Sequence, residues 1–318
     1  MEYRRLGKSG VKVSEIALGS WLTYGTVTER EQAVSCIKAA FELGINHLDC
    51  ANVYGAQPHE AERFLGEALT PYERDSYVLT TKVFGKVGPG PNDQGLSRKH
   101  IFSEIDKSLK ALRTDYIDLY YCHRYDENTD LEETLRALDD LIRQGKVHYI
   151  GFSEWPVNKI AEAARLQKEL GLHPFVASQP EYNIFQRRIE QGVLQLCEDA
   201  GIGQAVWSPL AQGVLTGKYK KGTEAPGGSR AATDRVKNSM QRYLNDDVLD
   251  KVAKLENVAS EADLSLAQLA LAWVLRKANV SSALIGASRP AQLEENVKAS
   301  GVKLEEDILK KIDEIVEA

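Results

Sequence analysis

The sequence predicts an α/β fold, a (β/α)8 TIM barrel with an N-terminal β-hairpin and extra C-terminal helices, on three observations. Eight short apolar runs alternate with helical stretches, the pattern of a parallel sheet. A doubly wound dinucleotide fold should carry G-x-G-x-x-G just after its first strand, and that spacing occurs nowhere in the chain. No linker or low-complexity tract divides the 318 residues, so residues 1–318 are expected to form one barrel domain, a size common for that fold.

In chain order, Tyr3 to Val13 alternates about a Gly-Lys-Ser-Gly turn and reads as a hairpin outside the eightfold pattern. Strands are expected at Ile16–Leu18, Ile45–Cys50, Tyr77–Thr81, Ile117–Cys122, Val147–Phe152, Phe175–Ser178, Gln204–Trp207 and Ala283–Ile285. Between them helices are expected at Glu29–Leu43, Glu60–Leu69, Lys99–Leu112, Leu131–Arg143, Val157–Leu170, Glu190–Asp199, Asp246–Glu261 and Leu266–Lys277. Gln292–Ala299 and Glu305–Glu317 close the chain. Thr28 and Glu31 have the spacing of a capping box for the first helix. Gly44, Gly145, Gly171 and Gly201 stand where helices should stop. Leu135, Leu138 and Ile142 mark one apolar helical face. Two Gly/Pro-rich stretches, 85–95 and 220–232, are short enough to be loops inside the domain.

Forty basic and 46 acidic residues leave a net charge of −6, without the basic stripe of a nucleic-acid binder. Cys36, Cys50, Cys122 and Cys197 contain no CxxC pair and read as reduced thiols. No apolar run approaches a membrane span of ~18 residues, and MEYRRLGKSG lacks the apolar stretch of a signal peptide. The expectation is a cytoplasmic protein with no nucleic-acid partner, no membrane contact and a small-molecule substrate, a homo-oligomer being left open.

Barrel active sites form at the C-terminal ends of the strands. The second strand ends in Asp49, with Tyr54 soon after; the third ends in Lys82 and the fourth in His123. Singly these read as a cap, a half-packed ring, a solvated charge and a loop histidine. On one rim they form a proton-donating centre for carbonyl chemistry. A lysine ammonium lowers a phenol's pKa, a carboxylate holds the lysine, and a histidine hydrogen-bonds the substrate oxygen. No zinc-protease spacing joins the histidines, and Gly151–Trp155 lacks the last glycine of G-x-S-x-G, so neither a metal site nor a serine hydrolase is expected.

At these residues the chain resembles the aldo-keto reductase superfamily. Gly44–Gly55 (GINHLDCANVYG) resembles its first signature, in which an aspartate precedes the catalytic tyrosine by five residues. Thr80-Thr81-Lys82 resembles the lysine segment, and Asp115–His123 the segment ending in the catalytic histidine. Trp207–Tyr219 and Leu284–Asn296 resemble the branch holding potassium-channel beta subunits and bacterial NADPH-dependent reductases. The resemblance implies NADP(H) extended across the barrel mouth. It implies that Asp49, Tyr54, Lys82 and His123 are catalytic, and that Ser153 and Gln179 hold the carboxamide beneath Trp207. Gly19, Ser20, Trp21, Asp49 and Tyr54 would border the cofactor. Ser208, Pro209, Leu210, Gln212, Gly213, Lys218 and Arg230 would hold its pyrophosphate. Gly286, Ser288 and Arg289 would hold the 2′-phosphate, with Gln292, Glu295 and Asn296 near the adenine. The strand-to-helix turn at Ser288-Arg289 offers an N-terminus and a guanidinium to a phosphate, which favours NADPH over NADH. Ser153 is followed by Glu154, where the family often has asparagine.

Trp21, Tyr24, Phe84, Tyr125 and Trp155 follow strands at the active mouth and, with Tyr54 and His123, are expected to wall an open substrate pocket. The expected reaction is reduction of an aldehyde or ketone, with Tyr54 as general acid. A Schiff-base aldolase using Lys82 and a cofactor-sensing subunit with slow turnover are the rivals.

Overall fold

Eight parallel strands close into a barrel, in a computed structural model that describes residues 1–21, 28–224, 226, 227, 229, 231 and 240–317. Ahead of it β1 (Tyr3–Arg5) pairs antiparallel with β2 (Lys12–Ser14). The barrel runs β3 (Ile16–Gly19), β4 (His47–Asp49), β5 (Val78–Val83), β6 (Ile117–Cys122), β7 (Val147–Phe152), β8 (Ala177–Ser178), β9 (Gly203–Trp207) and β10 (Val280–Ile285). β10 returns to pair with β3, in register Ala283 to Ile16, and closes the ring. All eight expected strands are present.

Helices wrap the outside: α1 (Arg30–Glu42), α2 (Glu60–Ala68), α3 (Arg98–Leu112), α4 (Leu131–Arg143), α5 (Val157–Glu169), α6 (Val193–Ala200), α7 (Asp246–Glu261), α8 (Leu266–Leu275), α9 (Pro290–Asn296) and α10 (Glu306–Glu317). Local chemistry sets several ends. The Asp130 carboxylate accepts from the Glu132 amide at the start of α4. Ser265 and Gln268 exchange side-chain and backbone bonds at the start of α8, a full capping box. The box expected at Thr28 does not form. The N-cap of α1 is Glu29, one residue later, and its side chain caps nothing. No single helix among the described residues is long and apolar enough to cross a membrane.

Period-two alternation splits each strand between two cores. On β6, Tyr120 and Cys122 join the large cluster under the helices, whereas Leu119 and Tyr121 join the cluster that also holds Leu6, Val13 and Ala177. Leu6 and Val13 come from the hairpin, so it plugs the N-terminal end of the barrel. The seal is close: Lys8 N donates to Gly201 O at 2.8 Å, and a Cβ at Gly7 would lie 2.2 Å from that oxygen. With the bottom closed, the opposite rim is left for a ligand.

Candidate active site

Each strand delivers its last residues to that rim. Asp49 ends β4, Lys82 lies near the end of β5, and His123 follows β6. Ser153 follows β7, Gln179 follows β8, and Trp207 ends β9. All of these except Lys82, together with the turn after β10, line one cavity of about 810 Å³.

At its floor Lys82 is fully buried and donates to Asp49 Oδ2 and to Cys50 O, each at 2.6 Å. Asp49 Oδ1 accepts from Thr80 Oγ1 at 2.6 Å and from Gln179 Nε2 at 2.8 Å. The buried carboxylate therefore has partners on both oxygens, as a buried charge requires. The Lys82 ammonium sits 4.8 Å from the Tyr54 ring centroid. The Tyr54 and His123 rings meet edge to face at 5.7 Å, and both line the cavity.

The electrostatics correct one expectation. Burial pushes the Tyr54 phenol above its ordinary pKa, and the opposing pull of Lys82 does not overcome it. Tyr54 is a protonated donor at neutral pH. Burial also holds His123 well below the ordinary histidine value, with the charges of Lys82 and Arg124 acting the same way. Its imidazole is neutral and can donate one hydrogen bond. Burial acts to lower the Lys82 pKa, but Asp49 and Tyr54 outweigh it and the group stays charged.

Gly19, Trp21, Ser153, Gln179, Trp207, Ser208, Pro209, Leu210, Gln212, Gly213, Lys218, Gly286, Ser288, Arg289, Gln292 and Asn296 also line the cavity. Ser20 is buried outside its lining, and Glu295 accepts from Gln268 at 3.0 Å. Lys82 lies behind Asp49 and Tyr54. Arg230 and Tyr24 lie outside the described residues. Phe84, Tyr125 and Trp155 do not line the cavity. Trp155 is buried with its ring centroid 5.0 Å from that of Tyr125 and 5.5 Å from that of Phe175. Tyr125 and Trp155 belong to this aromatic stack, and Phe84 packs against the main core. Sequence reasoning missed Arg124, beside His123, and the Thr28-Glu29-Gln32 group at the start of α1. The dipeptide His123-Arg124 at a strand end was the available signal for the first.

The loop after β9 is strained. Ser208, Ala211 and Gln212 all have left-handed φ (56, 46 and 59°) without being glycine. Each such residue costs of order 1–3 kcal/mol, and such residues cluster at ligand sites. Gly213 follows at φ 95°, and a Cβ there would stand 3.2 Å from Lys218 Nζ. An ammonium thus lies over bare backbone, a cradle that fits a pyrophosphate.

Glu154 turns away from the lumen, itself left-handed at φ 57°. Its Oε1 accepts from Trp207 Nε1 at 3.1 Å and from Glu181 N at 2.6 Å, and Arg188 pairs with its other oxygen. Glu154 therefore braces the indole that walls the cavity. Among the described residues no group of His, Cys, Asp and Glu could hold a metal.

A sequence model of the aldo/keto reductase family matches residues 15–317. The chain is 44% identical to a "Probable voltage-gated potassium channel subunit beta" of Arabidopsis thaliana, over 100% of this chain and 97% of that one. It is 43% identical to the protein of the same name in Oryza sativa subsp. japonica, with the same coverage. It is 38% identical to an "L-glyceraldehyde 3-phosphate reductase" of Escherichia coli (strain K12), over 94% of this chain and 87% of that one.

Proposed function

The chain belongs to the aldo/keto reductase family of oxidoreductases, and from that premise we propose that it reduces aldehydes and ketones to alcohols with NADPH, Tyr54 giving the proton. The observation that carries the reading is the join of Tyr54, Lys82 and Asp49 beside a neutral His123 at one end of the cavity.

The nicotinamide ring of the bound cofactor would supply the hydride. Ser153 and Gln179 would hold its carboxamide and Trp207 its ring face. Gly213 and Lys218 would hold the pyrophosphate, and Arg289 with Ser288 the adenosine phosphate. The rest of the chemistry belongs to the chain. His123 and Tyr54 donate hydrogen bonds to the substrate oxygen. As charge develops there, the two donors are already in place and need no reorganisation. Tyr54 passes its proton to that oxygen. The resulting phenolate faces the buried Lys82 ammonium, which Asp49 holds at 2.6 Å. A cation kept beside a forming anion lowers the barrier in both directions.

The test is the rate of NADPH oxidation with an activated aromatic aldehyde and with glyceraldehyde 3-phosphate, NADH being run in parallel. An NADPH-preferring rate with either aldehyde supports the reading. A second reading, a cofactor-sensing subunit with slow turnover, is favoured by the names of the two plant relatives. Tight NADPH binding with negligible turnover on every aldehyde and ketone would select it.

A further inference from the structure

Behind the Tyr54 loop, away from the cavity, lies a second buried charge cluster. His59 precedes α2 with φ 62°. Its backbone N–H donates to Asn52 O at 2.6 Å and closes the segment 52–59, which contains Tyr54. Its ring bridges two helices: Nδ1 is 2.6 Å from Glu62 Oε2 on α2, and Nε2 is 3.2 Å from Glu104 Oε2 on α3. Both glutamates are fully buried. Glu104 also accepts from Asn52 Nδ2 at 2.7 Å, at the other end of the segment. Glu62 accepts from Thr81 Oγ1 at 2.5 Å, next to Lys82 in β5.

We propose that His59, bridged between Glu62 and Glu104, is a positioning residue for Tyr54: its ring locks both ends of the segment 52–59 and so fixes the phenol against Lys82 and His123. The inference rests on the reading of Tyr54 as proton donor. Buried ion clusters contribute little net stability because desolvation offsets their attraction. What this cluster does supply is geometry, since it ties α2, α3, β5 and the loop at one point.

The charge on His59 is part of the lock: Nδ1 bonds Glu62, and only the protonated ring makes its 3.2 Å approach to Glu104 an ion pair, since Nε2 there lacks hydrogen-bond geometry. Burial lowers its pKa, yet the bonds and charges of Glu104 and Glu62 outweigh burial and raise it to about 9. The groups that face the cluster are Glu62 from α2, Glu104, Lys107 and His100 from α3, Tyr120 from β6 and Cys50 just after β4. Loss of the proton removes one bridge and frees the loop.

The test compares wild type, His59→Gln, Glu104→Gln and Tyr54→Phe. It reads kcat, NADPH affinity by fluorescence titration, pH profiles, and the Cζ resonance of isotope-labelled Tyr54. His59→Gln is expected to lower kcat roughly 10–100-fold, the cost of a small misplacement, with NADPH affinity within about twofold of wild type. It should also abolish the decline in kcat near pH 9. Glu104→Gln keeps an acceptor for Asn52 but removes one charge, and should move that decline to lower pH. It carries the test if His59→Gln does not fold. Wild-type kcat and an unchanged alkaline decline in the folded variant, with an unmoved Tyr54 resonance, overturn the proposal. Turnover retained by Tyr54→Phe overturns the donor reading instead, and the resonance then decides on positioning alone.

Discussion

Lys82 Nζ stands 2.6 Å from Asp49 Oδ2 and 4.8 Å from the Tyr54 ring centroid, so one buried cation joins a carboxylate to a phenol. The cation has no other carboxylate to neutralise it among the described residues, and Asp49 has no other cation. Their roles separate by substitution. Tyr54→Phe deletes only the proton donor, and kcat should fall about 10²–10⁴-fold, the span of general acid catalysis, with cofactor affinity kept. Lys82→Met leaves the Asp49 carboxylate buried and unpaired, which should cost about 3–5 kcal/mol of stability as well as activity. Steady-state kinetics beside urea unfolding distinguish the two; a Lys82→Met protein as stable as wild type would sink the assignment of a structural ion pair.

The rim residues were legible because a parallel barrel puts every strand's C-terminal end on one face. Locating β4, β5, β6, β7 and β9 from apolar runs was enough to bring Asp49, Lys82, His123, Ser153 and Trp207 together. Side-chain direction was not legible in the same way. Phe84, Tyr125 and Trp155 follow strands as Trp21 does, but Trp155 turns back onto Phe152 and Phe175. The His59 cluster was invisible for another reason. Its members come from α2, α3 and β5, and nothing local marks Glu104 as a partner of His59. The cap of α1 shows the same limit at short range: Thr28 has the right spacing, yet the helix starts one residue later.

Two buried histidines should bend stability in opposite pH windows. His47 is fully buried; its Nδ1 donates to Ser282 Oγ, 3.2 Å away, whose own proton goes to Ser14 O. Burial lowers its pKa from 6.5 to about 4. The unfolded chain takes up a proton below pH 6.5 that the folded chain refuses until about 4, so stability is lost as pH falls through that range. His59 has the opposite sign: raised to about 9, it stabilises fully below 6.5 and loses this as pH rises to 9. Each window is worth roughly 3–4 kcal/mol at most, from the distance between 6.5 and about 4 or about 9. Chemical unfolding across pH should show His47→Gln flattening the acid side and His59→Gln the alkaline side. Parallel curves for both variants and wild type would refute it.

The neutral His123 makes a prediction about rate. With its pKa well below 6.5, lowered by burial and by the charges of Lys82 and Arg124, its protonation state does not change between pH 6 and 8. The rate of reduction should therefore show no acid limb at the ordinary histidine value. Arg124→Gln removes one of the two charges and should move any acid limb upward. An acid limb at 6.5 in wild type that disappears in His123→Gln would show that the imidazole titrates normally.

Arg289 sets the cofactor preference in the proposed function. It is exposed at the cavity edge, one residue before α9. Charge-assisted bonds to a phosphate contribute about 1.5–3 kcal/mol. Arg289→Ala should weaken NADPH roughly 10–100-fold and leave NADH nearly unchanged. Equal losses for both cofactors would mean that the guanidinium supports the turn rather than the phosphate.

Glu154 offers the sharpest test of how the cavity wall is held. Its Oε1 accepts from the Trp207 indole at 3.1 Å and from the Glu181 amide at 2.6 Å. Glu154→Gln keeps a carbonyl oxygen in that place, so both bonds can persist and only the pairing with Arg188 is lost. Surface pairs of that kind contribute ~0–1 kcal/mol, and cofactor affinity should barely change. Glu154→Ala removes both acceptors and leaves the indole N–H and the Glu181 amide unbonded. NADPH affinity should fall about tenfold, with an upfield shift of the Trp207 indole proton as its bond is lost. If Glu154→Gln lost affinity as much as Glu154→Ala, the carboxylate charge would be the feature that matters, and Glu154 would act by electrostatics on the cofactor rather than by bracing Trp207.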